Sequence, residues 1–523
     1  MIVNFLFLYG QSVGRQFFKS TLVVGGMTLV SRILGFIRDM LIARMFGADS
    51  GTDAFFIVFK IPNFFRRLFA EGAFAQAFVP ALVDYERQAC KPALQDFINR
   101  AGGTLALLVM LASVIGMVVA PILIIVFAPG FLRAGESFDL SVQMLRITMP
   151  YLFFITSVAF AGSILNAHGR FAVPAVTPVL LNICMIIAAV WVSPLLAEPV
   201  MALAWGVLAA GVAQLSLQFP ALMRLGLLPR LQPGFNDPNV IRTLKMMGPA
   251  VFAVSVTQVN LLLDAFMASF LETGSISWLY YSDRLVEFPL GILGVALATV
   301  ILPRLSRDHA AEDATAFSGV LDWSLRWALL LGVPATAGLV ALAKPVLFTL
   351  FQYDEFTSVD VDQASRSVMA YALGLMGYML IKVLATGFSA RRDLATPVRF
   401  GVYALFANMT LNMLLIFPLA HAGLALATSL AAFVNAGLLL TALIKDRLYR
   451  PNKGWLWFVL RVALASAVMV LVLDVFATPA APTWIAWDFS DRALNLGAAI
   501  ALGCFVYAVV LLLTGFKLRQ WSP

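Results

Sequence analysis

Arginine side chains stand inside apolar stretches of this chain, where a guanidinium group can bind an anion. The first two, Arg32 and Arg38, lie in residues 31–47, SRILGFIRDMLIARMFG, which continue an apolar run that starts near Thr21. A charge at the centre of a membrane helix costs about 2.5–3.5 kcal/mol, so such residues usually face a protein interior or a water-filled cavity. Arg32 is about 16 Å from either end of this span, beyond the reach of a snorkelling side chain.

Helical spacing gives these two arginines no acidic partner on their own helix. No carboxylate lies three or four residues away from Arg32 or Arg38. Asp39 adjoins Arg38 in sequence but points about 100° away from it on a helix. It shares a face with Arg32 instead, seven positions earlier.

Two later apolar segments, FKIPNFFRRLFAEGAF and SWLYYSDRLVEFP, repeat this pattern of charges among apolar residues. With one further lysine, their charged residues are Lys60, Arg66, Arg67, Glu71, Asp283, Arg284, Glu287 and Lys382. Helical spacing allows Arg67 to pair with Glu71 and Arg284 to pair with Glu287. For Arg67 and Glu71 we favour a purely structural salt bridge.

Four arginines, Arg32, Arg38, Arg66 and Arg284, predict a substrate site for an anion. Cations outnumber the nearby acids, and three of the four lack a helical partner. Guanidinium groups match phosphate and carboxylate oxygens with two parallel hydrogen bonds, so we expect a phosphate or diphosphate as ligand. The alternative is a salt-bridge network that only holds the helices together. In either case the surrounding charge network consists of Asp39, Lys60, Arg67, Glu71, Asp283, Glu287 and Lys382.

A separate set of oxygen-bearing residues lies in three other apolar segments. Asp264 is in one, Asn408 and Asn412 stand one turn apart in another, and Thr428 is in a third. Such oxygens can coordinate a hard cation such as Na⁺. Hydrogen-bonded helix packing explains them equally simply, and we favour it.

Composition defines the broad class of protein. Of 523 residues 61% are hydrophobic and only 12% are charged, whereas about 25% of a soluble domain is charged. The chain is therefore a polytopic helical membrane protein. The dipeptide Gly-Lys never occurs, which excludes a P-loop, and the three cysteines form no CxxC pair. With no other catalytic motif, we expect a transporter without a cofactor and not an enzyme.

Apolar runs predict fourteen transmembrane helices, at about 21–46, 54–83, 101–128, 145–167, 172–195, 200–223, 244–270, 276–303, 319–350, 367–389, 396–418, 422–445, 456–477 and 490–515. The segments after even-numbered spans carry Lys and Arg, and those after odd-numbered spans are acidic or neutral. By the positive-inside rule both termini are cytoplasmic. The net charge of +8 is then a topology signal, and nucleic-acid binding is not needed to explain it.

The spans also form an internal repeat with an offset of 223 residues. This offset places Pro80 on Pro303 and Pro174 on Pro397. Six spans per repeat is an even number, so the halves are parallel copies, as in two-lobed transporters. We predict two six-helix lobes around a central cationic cavity, plus two extra helices at the C-terminal end. The predicted divisions are a cytoplasmic tail (1–20), an N-lobe (21–224), a C-lobe (240–446) and a terminal pair (455–516).

Four motifs of this chain resemble the MurJ family, formerly called MviN. They are SRILGFIRDMLIARMFG, TDAFFIVFKIPNFFRRLFAEGAFAQAFVP, YYSDRLVEFPLGILGVALATVILP and FQYDEFT. The family belongs to the multidrug/oligosaccharidyl-lipid/polysaccharide exporter superfamily, and the resemblance extends over about residues 25–516. It implies fourteen helices, two lobes in a V, and a final pair that forms a lipid groove. The family's cavity arginines correspond to Arg32, Arg38, Arg66 and Arg284, and Asp39 also matches a family charge.

The resemblance implies a flippase of the bacterial inner membrane that serves peptidoglycan synthesis and cell shape. It would move lipid II, the undecaprenyl-diphosphate-linked muropeptide, from the cytoplasmic to the periplasmic leaflet by alternating access. Its partners would be lipid II, membrane lipids and proteins of cell-wall synthesis or division, with Na⁺ or another ion for coupling. Two alternatives are an exporter of another lipid-linked oligosaccharide and a non-transporting cell-wall scaffold.

Overall fold

The computed structural model describes residues 2–67, 78, 80, 82, 85, 91–133, 135–476 and 481–516, with the backbone alone for 2–22, 91, 247–261, 295 and 481. All regular structure in these ranges is helical. Packing divides the chain into two compact units, Met1–Phe270 and Leu271–Pro523. The predicted lobes, tail, terminal pair and central cavity stay predictions.

The described α-helices of the first unit are α1 (Ile2–Phe46), α2 (Ser50–Arg66), α3 (Lys91–Val118), α4 (Ala120–Phe127), α5 (Gly135–Thr148), α6 (Tyr151–Ala167), α7 (Ala172–Ile187), α8 (Met201–Leu225) and α9 (Pro238–Ala268). They form a bundle in which α1 packs along α7, α7 and α6 pack on α8, and α2 packs on α5.

The described α-helices of the second unit are α10 (Ser275–Pro289), α11 (Val295–Ala310), α12 (Ala314–Ala341), α13 (Ala343–Leu350), α14 (Ser358–Ala390), α15 (Ala395–Lys445), α16 (Trp455–Phe476), α17 (Ala481–Ala486) and α18 (Phe489–Leu513). The central one is α14, which contacts α10, α11, α12, α13 and α15.

Local sequence explains where several of these helices begin and end. Thr357 and Asp360 form a capping box at the start of α14, because each side chain accepts the other residue's backbone N–H. Asp237 caps α9 through the backbone N–H groups of the next residues, and Pro238 occupies the first helical position, where its missing N–H costs nothing. Gly226 ends α8 in the left-handed conformation, with φ at 67°.

Ten helical segments of the described chain are long and apolar enough to cross a membrane. Together with the composition, they confirm the predicted all-helical polytopic membrane protein. The predicted break between residues 418 and 422 is also confirmed. The backbone of α15 leaves helical geometry at Ala420, where φ is 48° and ψ is −129°, two residues after Pro418.

The 223-residue offset recurs at two helix boundaries. Helix α6 ends at Ala167 and α14 ends at Ala390. The next helices, α7 and α15, begin at Ala172 and Ala395. Both pairs of boundaries are separated by the predicted offset, although the full repeat layout stays a prediction.

A buried aspartate joins the start of α16 to α12 within the second unit. Asp322 of α12 accepts hydrogen bonds from the Tyr449 hydroxyl at 2.9 Å and the Trp455 indole N–H at 2.7 Å. The backbone and side-chain nitrogens of Asn452 donate to it as well, and Arg326 lies 2.8 Å away as an ion pair. The segment that leads into α16 is therefore held by one carboxylate.

A buried arginine holds the start of α18. Arg492 is 5% exposed, and it donates to the backbone carbonyls of Phe348 at 2.8 Å and Gln352 at 2.9 Å. Its other nitrogens donate to the carbonyls of Trp487 and Ile485. Phe348 lies in the last turn of α13, where carbonyl groups lack helical partners and the helix dipole is negative.

Candidate anion-binding site

Arg38 pairs with its own sequence neighbour inside the first unit. Its Nη2 lies 2.6 Å and its Nε 2.9 Å from Asp39 Oδ1. Both residues are buried, at 4% and 0% exposure. The two residues pair although adjacent helical positions point about 100° apart, because the long arginine side chain reaches around the helix to the carboxylate.

Arg38 is also bound from a second helix. Its Nη1 donates to Asn182 Oδ1 on α7 at 3.0 Å, and Asn182 Nδ2 donates to the carbonyl of Ser31 on α1 at 2.9 Å. Asn182 was not predicted as a site residue. The signal that points to it is a single amide within the apolar run PVLLNICM, since a polar side chain inside a membrane helix usually bonds across an interface.

Arg32 differs from Arg38 in being exposed. Among the residues that the structure describes, no hydrogen bond or ion pair reaches its guanidinium group. Its neighbours Leu29 and Ile33 are exposed as well. Arg32 and Arg38 therefore differ although they are six residues apart on one helix. Arg38 is bound within the protein, and Arg32 is accessible to a ligand.

Arg66 lies half-buried in the last turn of α2. Its Nε donates to Asn63 Oδ1 at 3.1 Å, and Asn63 Nδ2 donates to the carbonyl of Phe59 at 2.8 Å. The phenol of Tyr151, at the start of α6 and 1% exposed, is within electrostatic range of both Arg66 and Arg38. Arg66, Arg38 and Tyr151 therefore belong to one polar region of the first unit.

The other predicted charges of α2 are only partly described. Lys60 is half-buried and Arg67 is exposed. Glu71 lies outside the described residues, so its pairing with Arg67 stays a prediction.

The charges of the second unit lie on α10 and α14. Arg284 Nη1 lies 2.9 Å from Glu287 Oε2, which confirms the pair that helical spacing predicts. Asp283 and Glu287 are exposed, and Arg284 is about a third exposed. Lys382 is exposed too, and no hydrogen bond or ion pair reaches its ammonium group within the described part of the chain.

The oxygen-bearing residues form a hydrogen-bonded cluster. Asn408 Nδ2 donates to Thr428 Oγ1 at 3.0 Å, and Asn412 Nδ2 donates to Asn408 Oδ1 at 2.8 Å. These three residues lie in α15 of the second unit, and Asp264 lies in α9 of the first unit. Over the described ranges no group of three or more His, Cys, Asp and Glu side chains could hold a metal ion. Coordination of Na⁺ stays a prediction.

Ten membrane-length helices, together with the arginines on α1, α2 and α10, define a polytopic membrane protein with a candidate anion site. More specifically, the chain belongs to the lipid II flippase MurJ family, whose sequence model matches residues 42–490. This confirms the resemblance carried by the four motifs.

Relatives match nearly end to end. A "probable lipid II flippase MurJ" of Vibrio cholerae is 46% identical over 520 residues, covering 98% of this chain and 99% of the relative. The "lipid II flippase MurJ" of Burkholderia cenocepacia is 40% identical over 504 residues, covering 96% of this chain and 98% of the relative.

Solved structures support the fold. A structure of "lipid II flippase MurJ, inward closed conformation" superimposes with a TM-score of 0.77 at 24% identity, covering 94% of this chain and 98% of that one. An inward-facing multidrug resistance MATE family transporter of the MOP superfamily gives a TM-score of 0.66 at 11% identity, covering 80% of this chain and 95% of that one.

Proposed function

We propose that this chain flips lipid II from the cytoplasmic to the periplasmic leaflet of the bacterial inner membrane by alternating access. Membership of the lipid II flippase MurJ family supports the substrate. The observation that carries the site is Arg32, an exposed cation within an apolar helix that has no partner among the described residues. A substrate diphosphate would supply the missing counter-charge.

The four arginines would have different tasks in this mechanism. Arg32 would bind the diphosphate directly, because a guanidinium group presents two parallel donors to phosphate oxygens. Arg38 would stay fixed within the protein, since Asp39 neutralises it and Asn182 also holds it. Arg66 and Arg284 have local partners in Asn63 and Glu287 that a substrate anion could replace.

The proposed topology has fourteen spans, two six-helix lobes, a terminal pair and both termini in the cytoplasm. The distribution of Lys and Arg among the connecting segments supports this orientation. The repeated 223-residue offset at the ends of α6 and α14 supports the two parallel lobes. The undecaprenyl tail would remain in the lipid while the head group crosses.

The energy source would be an ion gradient, the membrane potential or consumption of lipid II outside, since the sequence contains no P-loop. Moving one elementary charge through a potential of 100 mV changes its free energy by about 2.3 kcal/mol. Each arginine that moves with the substrate would therefore make transport sensitive to the potential.

The test uses cells depleted of their own flippase and supplied with this chain. Added from outside, a toxin that cleaves lipid II reports how much lipid II has reached the periplasmic leaflet. We expect cleavage with the wild type and little with Arg32→Ala at equal expression. Arg399→Ala is the matched control, because Arg399 is likewise an exposed arginine on a long helix.

Each outcome separates a part of the proposal. Cleavage with both the wild type and Arg32→Ala would keep lipid II transport and overturn the role of Arg32. Absence of cleavage with well-expressed wild type would overturn lipid II as substrate. If the chain exports another lipid-linked oligosaccharide, that oligosaccharide should reach the periplasmic leaflet of the same cells. If the chain is a scaffold, replacing all four arginines by alanine should leave its cellular function unchanged.

A further inference from the structure

The second unit contains a pocket of about 450 Å³ that the anion site does not use. It lies where the connection before α10, the first part of α14 and the kink of α15 meet. The side chains that decide its chemistry are Glu272, Gln363, Arg366, Leu373, Phe417 and His421. A pocket of this size holds a small ligand or one end of a larger one.

One part of the pocket wall is an ordered polar chain. Gln363 Nε2 donates to Glu272 Oε1 at 3.2 Å, and Gln363 Oε1 lies 3.4 Å from His421 Nε2. His421 is 1% exposed, and its Nδ1 lies 2.7 Å from Ser367 Oγ. The Gln363 amide, itself held by the buried His421, therefore orients the Glu272 carboxylate.

The same pocket contains a cationic side chain, Arg366, whose guanidinium group has no partner among the described residues. Arg366 is exposed, and no described residue forms a hydrogen bond or ion pair with it. The pocket thus presents one acid and one cation as separate groups. A simple anion would meet Glu272 as well as Arg366, and a simple cation would meet Arg366 as well as Glu272. A ligand that carries both charges fits better than either.

The remaining wall is apolar and open. Phe417 is 89% exposed, and Leu373 and Leu419 are about half exposed. Because this chain spans a membrane, the acyl chain of a lipid is available to contact these three side chains.

The backbone at this wall is strained. Ala420 has a positive φ of 48° with ψ at −129°, a conformation that a residue with a Cβ rarely adopts. This bend places Phe417 on the apolar wall and His421 on the polar wall. A strained residue that shapes a pocket is typical of a binding site.

We propose that this pocket binds an aminophospholipid. Its phosphate would lie on Arg366, its primary ammonium on Glu272, and the upper part of one acyl chain along Leu373 and Phe417. The connections around Glu272 and Ala420 follow odd-numbered spans, which places the pocket at the periplasmic leaflet. Only that leaflet assignment rests on the proposed topology, and binding itself does not depend on transport of lipid II.

The test is native mass spectrometry of the purified full-length chain in detergent. It is titrated separately with phosphatidylethanolamine, phosphatidylglycerol and phosphatidylcholine of identical acyl chains. We expect the wild type to bind phosphatidylethanolamine about tenfold more tightly than either other lipid, the effect of about one charge-assisted hydrogen bond. The glycerol head group lacks the ammonium, and the choline head group has no N–H to donate.

Two substitutions separate the head-group contacts. Arg366→Gln should weaken binding of phosphatidylethanolamine about tenfold, because the phosphate loses its cation. Glu272→Gln should abolish the preference for phosphatidylethanolamine over phosphatidylcholine. Arg399→Gln, an exposed arginine outside the pocket, should change nothing. Arg366 and Glu272 are both exposed, so these substitutions should leave the fold intact. Leu373→Trp tests the acyl-chain contact separately, because the larger side chain would occupy the apolar wall and weaken lipid binding.

Several results would overturn the proposal. Equal binding of all three lipids by the wild type would show that lipids associate non-specifically with the apolar surface and that the pocket does not select a head group. Tighter binding of phosphatidylglycerol would identify an anionic-lipid site instead. Unchanged binding after both Arg366→Gln and Leu373→Trp would place the lipid elsewhere. Failure of lipid II transport in cells would leave these measurements unaffected, so the two proposals can fail separately.

Discussion

Arg38 and Asp39 form an ion pair between adjacent positions of one helix, with Arg38 Nη2 2.6 Å from Asp39 Oδ1. Both side chains are buried, so each charge has given up its hydration. The attraction between them offsets that desolvation only while both partners are present. This pair therefore holds a cation in place inside a membrane helix.

Replacing Asp39 by Asn should destabilise the protein by about 3–5 kcal/mol, because Arg38 stays buried without this carboxylate. Denaturant unfolding in detergent measures the change. Asp491→Asn is the control, since Asp491 is exposed and its substitution should change stability by less than about 0.5 kcal/mol. Equal stability of the Asp39 and Asp491 variants would show that Arg38 is compensated by other groups.

The positions of the site arginines could be predicted from sequence because a charge within an apolar run is local information. Arg32, Arg38, Arg66 and Arg284 all lie in helices, as expected. The break at Ala420 was predictable for the same reason, since Pro418 stands two residues before it.

The partners of these charges were less predictable. Asn182 binds Arg38 from 144 residues away, a contact that depends on how α1 packs along α7. Arg38 also pairs with Asp39 although adjacent helical positions point about 100° apart, because the flexible arginine side chain spans that angle. The polar cluster around Asp322 likewise joins α12 to a segment more than a hundred residues later.

Close packing of α14 against α15 depends on a glycine. A methyl group on Gly374 would lie 2.5 Å from Ser429 Oγ and 2.8 Å from its Cα. Gly374→Ala should therefore destabilise the protein by about 1–3 kcal/mol through overpacking. Gly401→Ala is the matched variant, since nothing lies within 4 Å of its added methyl. That substitution should stabilise α15 by about 0.5–1 kcal/mol, and denaturant unfolding should show opposite signs. A stability loss at both positions would contradict the packing argument.

Ionisation of Tyr449 should lower the free energy of unfolding as the pH rises above about 10. Burial raises the pKa of its phenol, and the neighbouring Asp322 carboxylate raises it further. Because the folded pKa lies above the unfolded value of about 10, the phenol's contribution is fully present below about pH 10. It is lost as the pH rises from there through the folded pKa.

The variant Tyr449→Phe tests this dependence. It should be less stable than the wild type at about pH 8, by about 1.5–3 kcal/mol for a hydrogen bond to a carboxylate. The difference should narrow as the pH rises above about 10, since only the wild type has this phenol to ionise. Thermal unfolding midpoints across this range measure it. A constant difference at all pH values would contradict the raised pKa.

Arg492 should not tolerate lysine. Four backbone carbonyls accept from its guanidinium group, and the group also lies 5.0 Å from the centre of the Tyr353 ring. Lysine has three donors on one nitrogen and lacks the planar fork, so it cannot reach carbonyls on two sides of α18 at once. Arg492→Lys should therefore cost about 2–4 kcal/mol, from the loss of at least one charge-assisted hydrogen bond and the buried carbonyls left behind.

The loss should be local to the start of α18. Hydrogen exchange of the backbone amides near Phe348 and Ile485 should quicken in Arg492→Lys, because the contact between α13 and α18 loosens. Arg399→Lys, at an exposed position, should change neither stability nor exchange. Wild-type stability and exchange in Arg492→Lys would show that a point charge is enough at this helix end. The four carbonyl contacts would then contribute less than the attraction between a cation and the C-terminal dipole of α13.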